Sequence, residues 1–206
     1  MANVSLSVLA GALLVAATSV QAAERLPSIA PALYNDEQLA AAVEFQTARN
    51  GPVFGPFEPL MHSPTLMSKT RAMGDYLRFK SAIGNTLSEL AILITARAWS
   101  QDYEWTYHKP IAIKAGIKPE TIDAIAEGRL PRGLSEDEQM VYQFSTELHQ
   151  NKSVSDATFT RVEKRWGKKG VVDLTGINAY YTLLAMQLNV ARYPGVKGET
   201  GLSRLP

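Results

Sequence analysis

Apolar residues recur at helical spacing through most of this chain, and no stretch shows the sustained two-residue alternation of a half-buried strand. From Asn35, "NDEQLAAAVEFQTARNG" combines a capping residue, early acids, apolar residues three and four apart and a glycine stop, which predicts one helix. The next segment, "PVFGPFEPLMHSP", holds four prolines and reads as a loop, a kind of segment that often carries sites. Ser63 before Pro64 is a cap and first-turn pair, predicting a helix over "PTLMSKTRAMGDYLRFKSAIG" with Leu66, Met73, Leu77 and Phe79 toward its inner side. Beyond Gly84, Thr86 and Glu89 stand at capping-box spacing, and Leu90, Leu93, Ile94 and Ala98 follow at steps of three and four. The segment "NTLSELAILITARAW" is therefore a largely buried helix. Pro119 opens "PETIDAIAEG", and Ser135 with Glu138 caps "EDEQMVYQFSTELHQ". Two more helices follow at "DATFTRVEKRWG" and "KGVVDLTGINAYYTLLAMQLNVARY", the last ending before Pro194. The pattern predicts an all-α domain over residues 35–206, with about seven helices and short connections.

Two segments precede that domain. Residues 1–22, "MANVSLSVLAGALLVAATSVQA", carry no charged side chain, and the apolar run from Leu6 to Val20 is broken only by small residues and Thr18. The run is short for a membrane span, which needs roughly 20 apolar residues. With small residues at Val20 and Ala22 it reads as a secretory signal cleaved after Ala22, leaving a periplasmic or secreted chain with no membrane attachment. An uncut apolar anchor is the alternative, and either reading puts the folded part outside the cytoplasm. Residues 23–34, with the Pro-rich "ERLPSIAPALY", are expected to form an extended arm, because proline removes a donor and disfavours helix in the residue before it.

Charge and cysteine content narrow the function. The 21 basic and 20 acidic residues are interspersed and nearly balanced, so the basic block that neutralises nucleic-acid phosphates is missing and nucleic acid is not an expected partner. The sequence has no cysteine, which excludes disulfides, thiol nucleophiles, thiol peroxidase chemistry and thiolate metal sites. Its three histidines, His62, His108 and His149, show neither HxxxH nor HExxH spacing, so a metal site is not expected.

The stretch "SQDYEWTYHKP" concentrates the reactive residue types. In a helix starting near Ser100, Gln101, Glu104 and His108 share one face, and Glu89 can approach from the preceding helix. An imidazole between carboxylates is suited to moving one proton near neutral pH. Structural alternatives stand beside this reading. Glu89 can be the partner of Thr86 in a capping box, and Glu104 with His108 can be an exposed pair contributing a few tenths of a kcal/mol. Tyr103, Trp105 and Tyr107 can be core or interface aromatics.

The run "LSELAILITARAWSQDYEWTYHKPIAIKAGI", with "GPFEPLMHSPTLM" before it and "VVDLTGINAYYTLLAMQLN" after it, resembles the carboxymuconolactone decarboxylase family, which is related to the alkylhydroperoxidase-D-like proteins. The resemblance extends from about Asn35 to Asn189. The family motif is a Glu, two cysteines separated by two residues, and a His four beyond the second cysteine. Glu89 and His108 match the Glu and the His, while Gln101 and Glu104 occupy the cysteine places, which rules out the redox branch. The other branch implies a cofactor-independent lyase or decarboxylase, or a related isomerase, acting on a small carboxylated unsaturated lactone or ring. On that basis His108 is the expected proton donor, Glu104 and Glu89 orient it, and Arg97 or Arg78 binds a substrate carboxylate. Arg97 lies eight residues after Glu89 and roughly on the same face of its helix. Gln101, Tyr103, Trp105 and His62 complete the expected substrate contacts. Two glutamates at the imidazole raise its proton affinity above the ordinary value of about 6.5 unless burial outweighs them. The resemblance also implies a homo-oligomer, for which Tyr180, Tyr181, Leu184 and Met186 on the last helix are the candidate face, with filling of the monomer core as the alternative. A non-catalytic binding or assembly protein that kept the fold is the competing function.

Overall fold

The computed structural model describes residues 23–205, and the signal segment with its expected cleavage point lies outside them. A 3-10 turn, Pro31–Leu33, precedes α1 (Asp36–Arg49), α2 (Phe57–Leu60), α3 (Pro64–Phe79), α4 (Asn85–Ala98), α5 (Asp102–Lys114), α6 (Pro119–Ala126), α7 (Glu136–Asn151) and α8 (Asp156–Ala191). The described residues are thus all-helical, as the periodicity predicts. The capping box expected at Ser135 and Glu138 opens α7, and Asn35, expected as a capping residue, opens α1 in a box with Gln38. α8 is broken at Gly167, whose φ of 69° and ψ of 179° are non-helical, so the two helices read there from sequence meet at that residue. Among the described residues no helix is long and apolar enough to cross a membrane.

α4 is the axis of the molecule. Its residues from Ser88 to Arg97 are all buried, and it packs against α5, α7 and α8. Leu90, Ile92 and Leu93 are fully enclosed, as are Phe144 on α7 and Leu174 and Ile177 on α8. Each such side chain contributes about 1.5–3 kcal/mol over an exposed one. Because α4 is surrounded, its polar residues are enclosed too, and each needs a partner from a neighbouring helix.

Local expectations fail where tertiary packing overrides pattern. Leu77 is buried, but Leu66, Met73 and Phe79 are exposed at 44%, 44% and 62%. α3 instead turns Met67, Thr70, Arg71, Gly74 and Leu77 inward, a stripe set by Gly74, where a Cβ would come within 2.2 Å of the Tyr180 hydroxyl. The helix also stops at Phe79 instead of Gly84, because the Asp173 carboxylate accepts the Ala82 N–H at 2.8 Å and holds the turn. Ser63 stands at the start of α3 but its side chain makes no capping bond. The predicted Thr86–Glu89 box is not formed: Gly84 is the N-cap of α4 and the Thr86 hydroxyl donates to the Ala115 carbonyl. Glu89 is thereby released for another role. The predicted loop contains the single-turn helix α2. The arm is docked on the body, since the Arg25 N–H donates to the Ala191 carbonyl and the Ser28 hydroxyl to Glu58. On α8, Tyr180, Tyr181 and Leu184 point into the core and only Met186 of that group is exposed. Those three fill the interior, which is the alternative the sequence had left open for them.

Candidate active site

Two adjacent helices bring the acid–base residues together. The α4–α5 turn passes through Ser100, which is left-handed with φ 46°, and α5 starts one residue later than the sequence suggests, with Gln101 as its N-cap. The Gln101 side-chain oxygen accepts the N–H groups of Tyr103 at 2.6 Å and Glu104 at 3.2 Å. That start places Glu104 and His108 on the buried face of α5, opposite Glu89 of α4.

His108 lies between the two glutamates. Its Nδ1 is 2.6 Å from Glu89 Oε2, and its Nε2 is 3.5 Å from Glu104 Oε2. All three residues are at most 3% exposed. The Arg78 guanidinium, from the end of α3, reaches within 3.6 Å of the second Glu89 oxygen. Tyr107 and Tyr181 stand edge-on to the imidazole, with ring centroids 5.3 and 5.2 Å away. Arg49, Phe54, Phe57, Tyr103 and Leu184 line the remaining space. It amounts to about 20 Å³, room for a single water.

Burial decides the protonation states. It raises the Glu104 carboxyl to about 8, with Arg78 opposing and Glu89 assisting. It pulls the imidazole of His108 below its ordinary value, outweighing the hydrogen bond and charge of Glu89, while Arg78 pushes in the same downward direction. The sign is therefore opposite to what two flanking carboxylates alone dictate. At neutral pH Glu104 is protonated, and the neutral His108 donates from Nδ1 to Glu89, whose other oxygen pairs with Arg78. An ion pair beside two neutral groups suits so dry a place. The Oε1 atoms of Glu89 and Glu104 and the Arg78 Nε remain buried without a hydrogen-bond partner. Of their residues, Arg78 and Glu104 line the small cavity, where unpaired polar atoms are unspent capacity for a ligand. Because the two carboxyl groups sit at opposite nitrogens of one ring, the imidazole is held by a hydrogen bond at Nδ1 and faces Glu104 at 3.5 Å from Nε2, and the trio does not converge on a common point.

Of the sequence-derived candidates, Glu89, Glu104, His108, Arg78 and Tyr103 come together here. Four others are elsewhere. Gln101 spends its oxygen on the α5 cap and its amide on Asn189, and Trp105 is enclosed in the core. His62 is exposed and bonded to the Pro27 carbonyl. Arg97 points away from the imidazole, because eight residues along a helix leave it about 80° from Glu89. It holds the carbonyls of Ala126 and Ser203 instead. Sequence reasoning missed Arg49, Tyr107 and Tyr181 as wall residues. Arg49 is held by Asp75 at 2.6 Å and lies over the Phe57 ring, neither of which has a sequence signature. Tyr103 carried a hidden one: Gly55 has φ 57°, and a Cβ there would meet the tyrosine hydroxyl at 2.3 Å.

No protein-family model matches the chain, and no curated protein is significantly similar to it. Solved structures do match its shape. One is the alkylhydroperoxidase AhpD core of an uncharacterized peroxidase-related protein from Ralstonia eutropha JMP134, at TM-score 0.69 and 19% identity, covering 84% of this chain and 93% of that one. The chain has the alkylhydroperoxidase-D-like fold. A debrominase solved with 2,3,4-tribromopyrrole shares it at TM-score 0.65 and 10% identity, covering 84% and 92%. At these identities the alkylhydroperoxidase-D-like likeness concerns the fold, and function has to be argued from the site.

Proposed function

We propose that this chain is a cofactor-independent acid–base enzyme, a lyase or decarboxylase or a related isomerase, acting on a small carboxylated unsaturated lactone or ring. The observation that carries the reading is the buried Glu89–His108–Glu104 relay with Arg78 at one end. Loss of carbon dioxide from such a substrate leaves its electron pair in an extended enolate, which a proton at carbon must quench. Glu104, protonated up to about pH 8, is the donor that geometry and environment favour. This moves the donor role from His108 to Glu104, four residues before it on α5. The neutral ring keeps its proton at Nδ1 toward Glu89 and positions Glu104 beside Nε2, and the Glu104 carboxylate left after the transfer takes its next proton from solvent. Arg78 and Arg49 supply the cationic wall that holds the departing carboxylate and the developing negative charge. Peroxide reduction by a thiol is not supported, since the chain has no cysteine.

One observation favours the competing reading, a binding protein that kept the fold: the cavity has room for about one water, so a substrate enters only if the surrounding rings move. The two readings separate on a panel of unsaturated lactones followed by ultraviolet absorbance. The enzyme reading expects turnover that falls in both His108→Ala and Glu104→Gln. Turnover indifferent to both substitutions removes the proposed site, and no turnover of any panel member favours the binding protein.

The export and assembly expectations belong with this proposal. The reading is of an exported, homo-oligomeric protein without nucleic-acid or membrane partners. Intact mass of envelope-purified protein tests cleavage after Ala22, and light scattering tests the oligomer. An uncleaved Met1 or a strictly monomeric solution contradicts the respective part.

A further inference from the structure

A second cavity, of about 530 Å³, opens between the C-terminal end of α4, α6, α7 and the tail that follows α8. Arg97, Arg129, Arg204 and His149 line it, and among the described residues no acidic side chain does. Ile94 and Ile125 give it an apolar floor. Its volume falls within the range of ordinary small-molecule sites, which runs from about 300 to 1,000 Å³.

Arg97 is the unusual member. It is only 8% exposed, yet every acceptor it holds is neutral: the Ala126 carbonyl at 3.2 Å, the Ser203 carbonyl at 2.8 Å and the Ser100 hydroxyl at 2.9 Å. Its Nε is buried with no partner. Arg71, the other arginine buried to this degree, has the carboxylates of Glu44 and Asp75, and the half-buried Arg49 and Arg78 have those of Asp75 and Glu89. Arg129 is partly answered by Glu127 on the surface. The acid whose charge reaches Arg97 is Asp102, and one Asp102 oxygen accepts the Leu202 N–H at 2.8 Å. A buried guanidinium that faces a second arginine across a cavity without a described acidic side chain, and that has only the distant charge of Asp102 to answer it, is under-compensated, and such a charge is costly until an anion joins it.

We propose that this cavity is a second ligand site that takes a small organic carboxylate with an apolar body. The carboxylate binds between the Arg97 and Arg204 guanidinium groups, and the body lies on Ile94 and Ile125. Arg204 and Leu205 belong to the tail, where Leu205 packs on Gly128, so an occupied site also fastens the tail to α6. The site shares α4 with the Glu89 centre but is lined by a different set of residues.

Benzoate is a suitable probe, with benzamide as its neutral isostere and sulfate as a bare anion, titrated into the isotopically labelled full chain and read by amide and arginine Nε–H shifts. The expected result is saturable benzoate binding that shifts the Arg97 Nε–H and Gly128 signals, with benzamide and sulfate each at least about tenfold weaker. Arg97→Gln and Arg204→Gln should each weaken benzoate by about tenfold or more, while Glu104→Gln leaves it unchanged. Arg97→Gln also removes three structural hydrogen bonds, so Arg204→Gln, on the exposed tail, is the deciding variant. Benzoate that fails to bind, that binds no better than benzamide or sulfate, that is indifferent to Arg204→Gln, or that shifts signals around His108 instead overturns the proposal.

Discussion

The two halves of α4 handle charge in opposite ways. Near its start, Glu89 sits in a dry centre where each charge has an answer: Arg78 faces its carboxylate and His108 donates to it. At its end, Arg97 sits by a wide cavity with only neutral acceptors. In the dry half, solvent exclusion outweighs Coulomb attraction, which is why Glu104 keeps its proton to about pH 8 while His108 gives its own up early. In the wide half there is space for solvent or an anion to answer the cation. Enclosure, more than the identity of the residues, separates the proposed proton relay from the proposed anion site on one helix.

Removing a proton donor from the dry half should have the largest effect. Glu104→Gln is expected to lower turnover of a panel substrate by about 10²- to 10⁴-fold with little change in KM, as initial rates will show. An unchanged rate dissolves the contrast, because the dry half then does no chemistry.

Stability comes next. Glu89→Ala leaves Arg78 and the His108 Nδ1–H without their acceptor, and should cost about 3–5 kcal/mol in urea denaturation. The exposed pair Arg129–Glu127 is the control from the wide half, and Glu127→Ala should cost no more than about 1 kcal/mol. Equal losses would show that the enclosure argument is mistaken.

A pH dependence sharpens the comparison further. The folded Glu104 pKa is raised above its unfolded value, so its contribution is full below the unfolded pKa and is lost as pH rises through about 8. His108 is lowered, so its contribution is present above its unfolded value and lost as pH falls through the folded one. The two slopes oppose each other below about pH 6.5, and above it Glu104 acts alone. Stability should therefore decline between about pH 6.5 and 8 by at most about 1.4 kcal/mol per pH unit, and Glu104→Gln should flatten that decline. A decline of the same slope in Glu104→Gln assigns it to another group.

The helices, the caps at Asn35 and Ser135 and the break at Gly167 were legible because they depend on local spacing and on residues with local conformational preferences, whereas the caps expected at Ser63 and Thr86 do not form. The meeting of Glu89, Glu104 and His108 was legible from helical spacing together with the family resemblance, since neither alone separates a site from a capping box. What stayed hidden depends on distant partners. Leu66, Met73 and Phe79 follow an inward pattern that Gly74 and Tyr180 overrule. Arg97 and Arg78 are the same residue type near the ends of neighbouring helices, and only the packing of α3, α4 and α8 sends one to the imidazole and the other away. The sign of the His108 shift was hidden for a related reason, because desolvation is a property of the assembled core.

The most direct test of the relay is a carbon-13 NMR titration of the Glu104 carboxyl in the purified chain. The expected result is a midpoint near 8, shifted in His108→Ala and far from the ordinary glutamate range. A midpoint near the ordinary value of about 4.3, indifferent to His108, would contradict the account, because Glu104 would then be ionised at neutral pH and hold no proton to give.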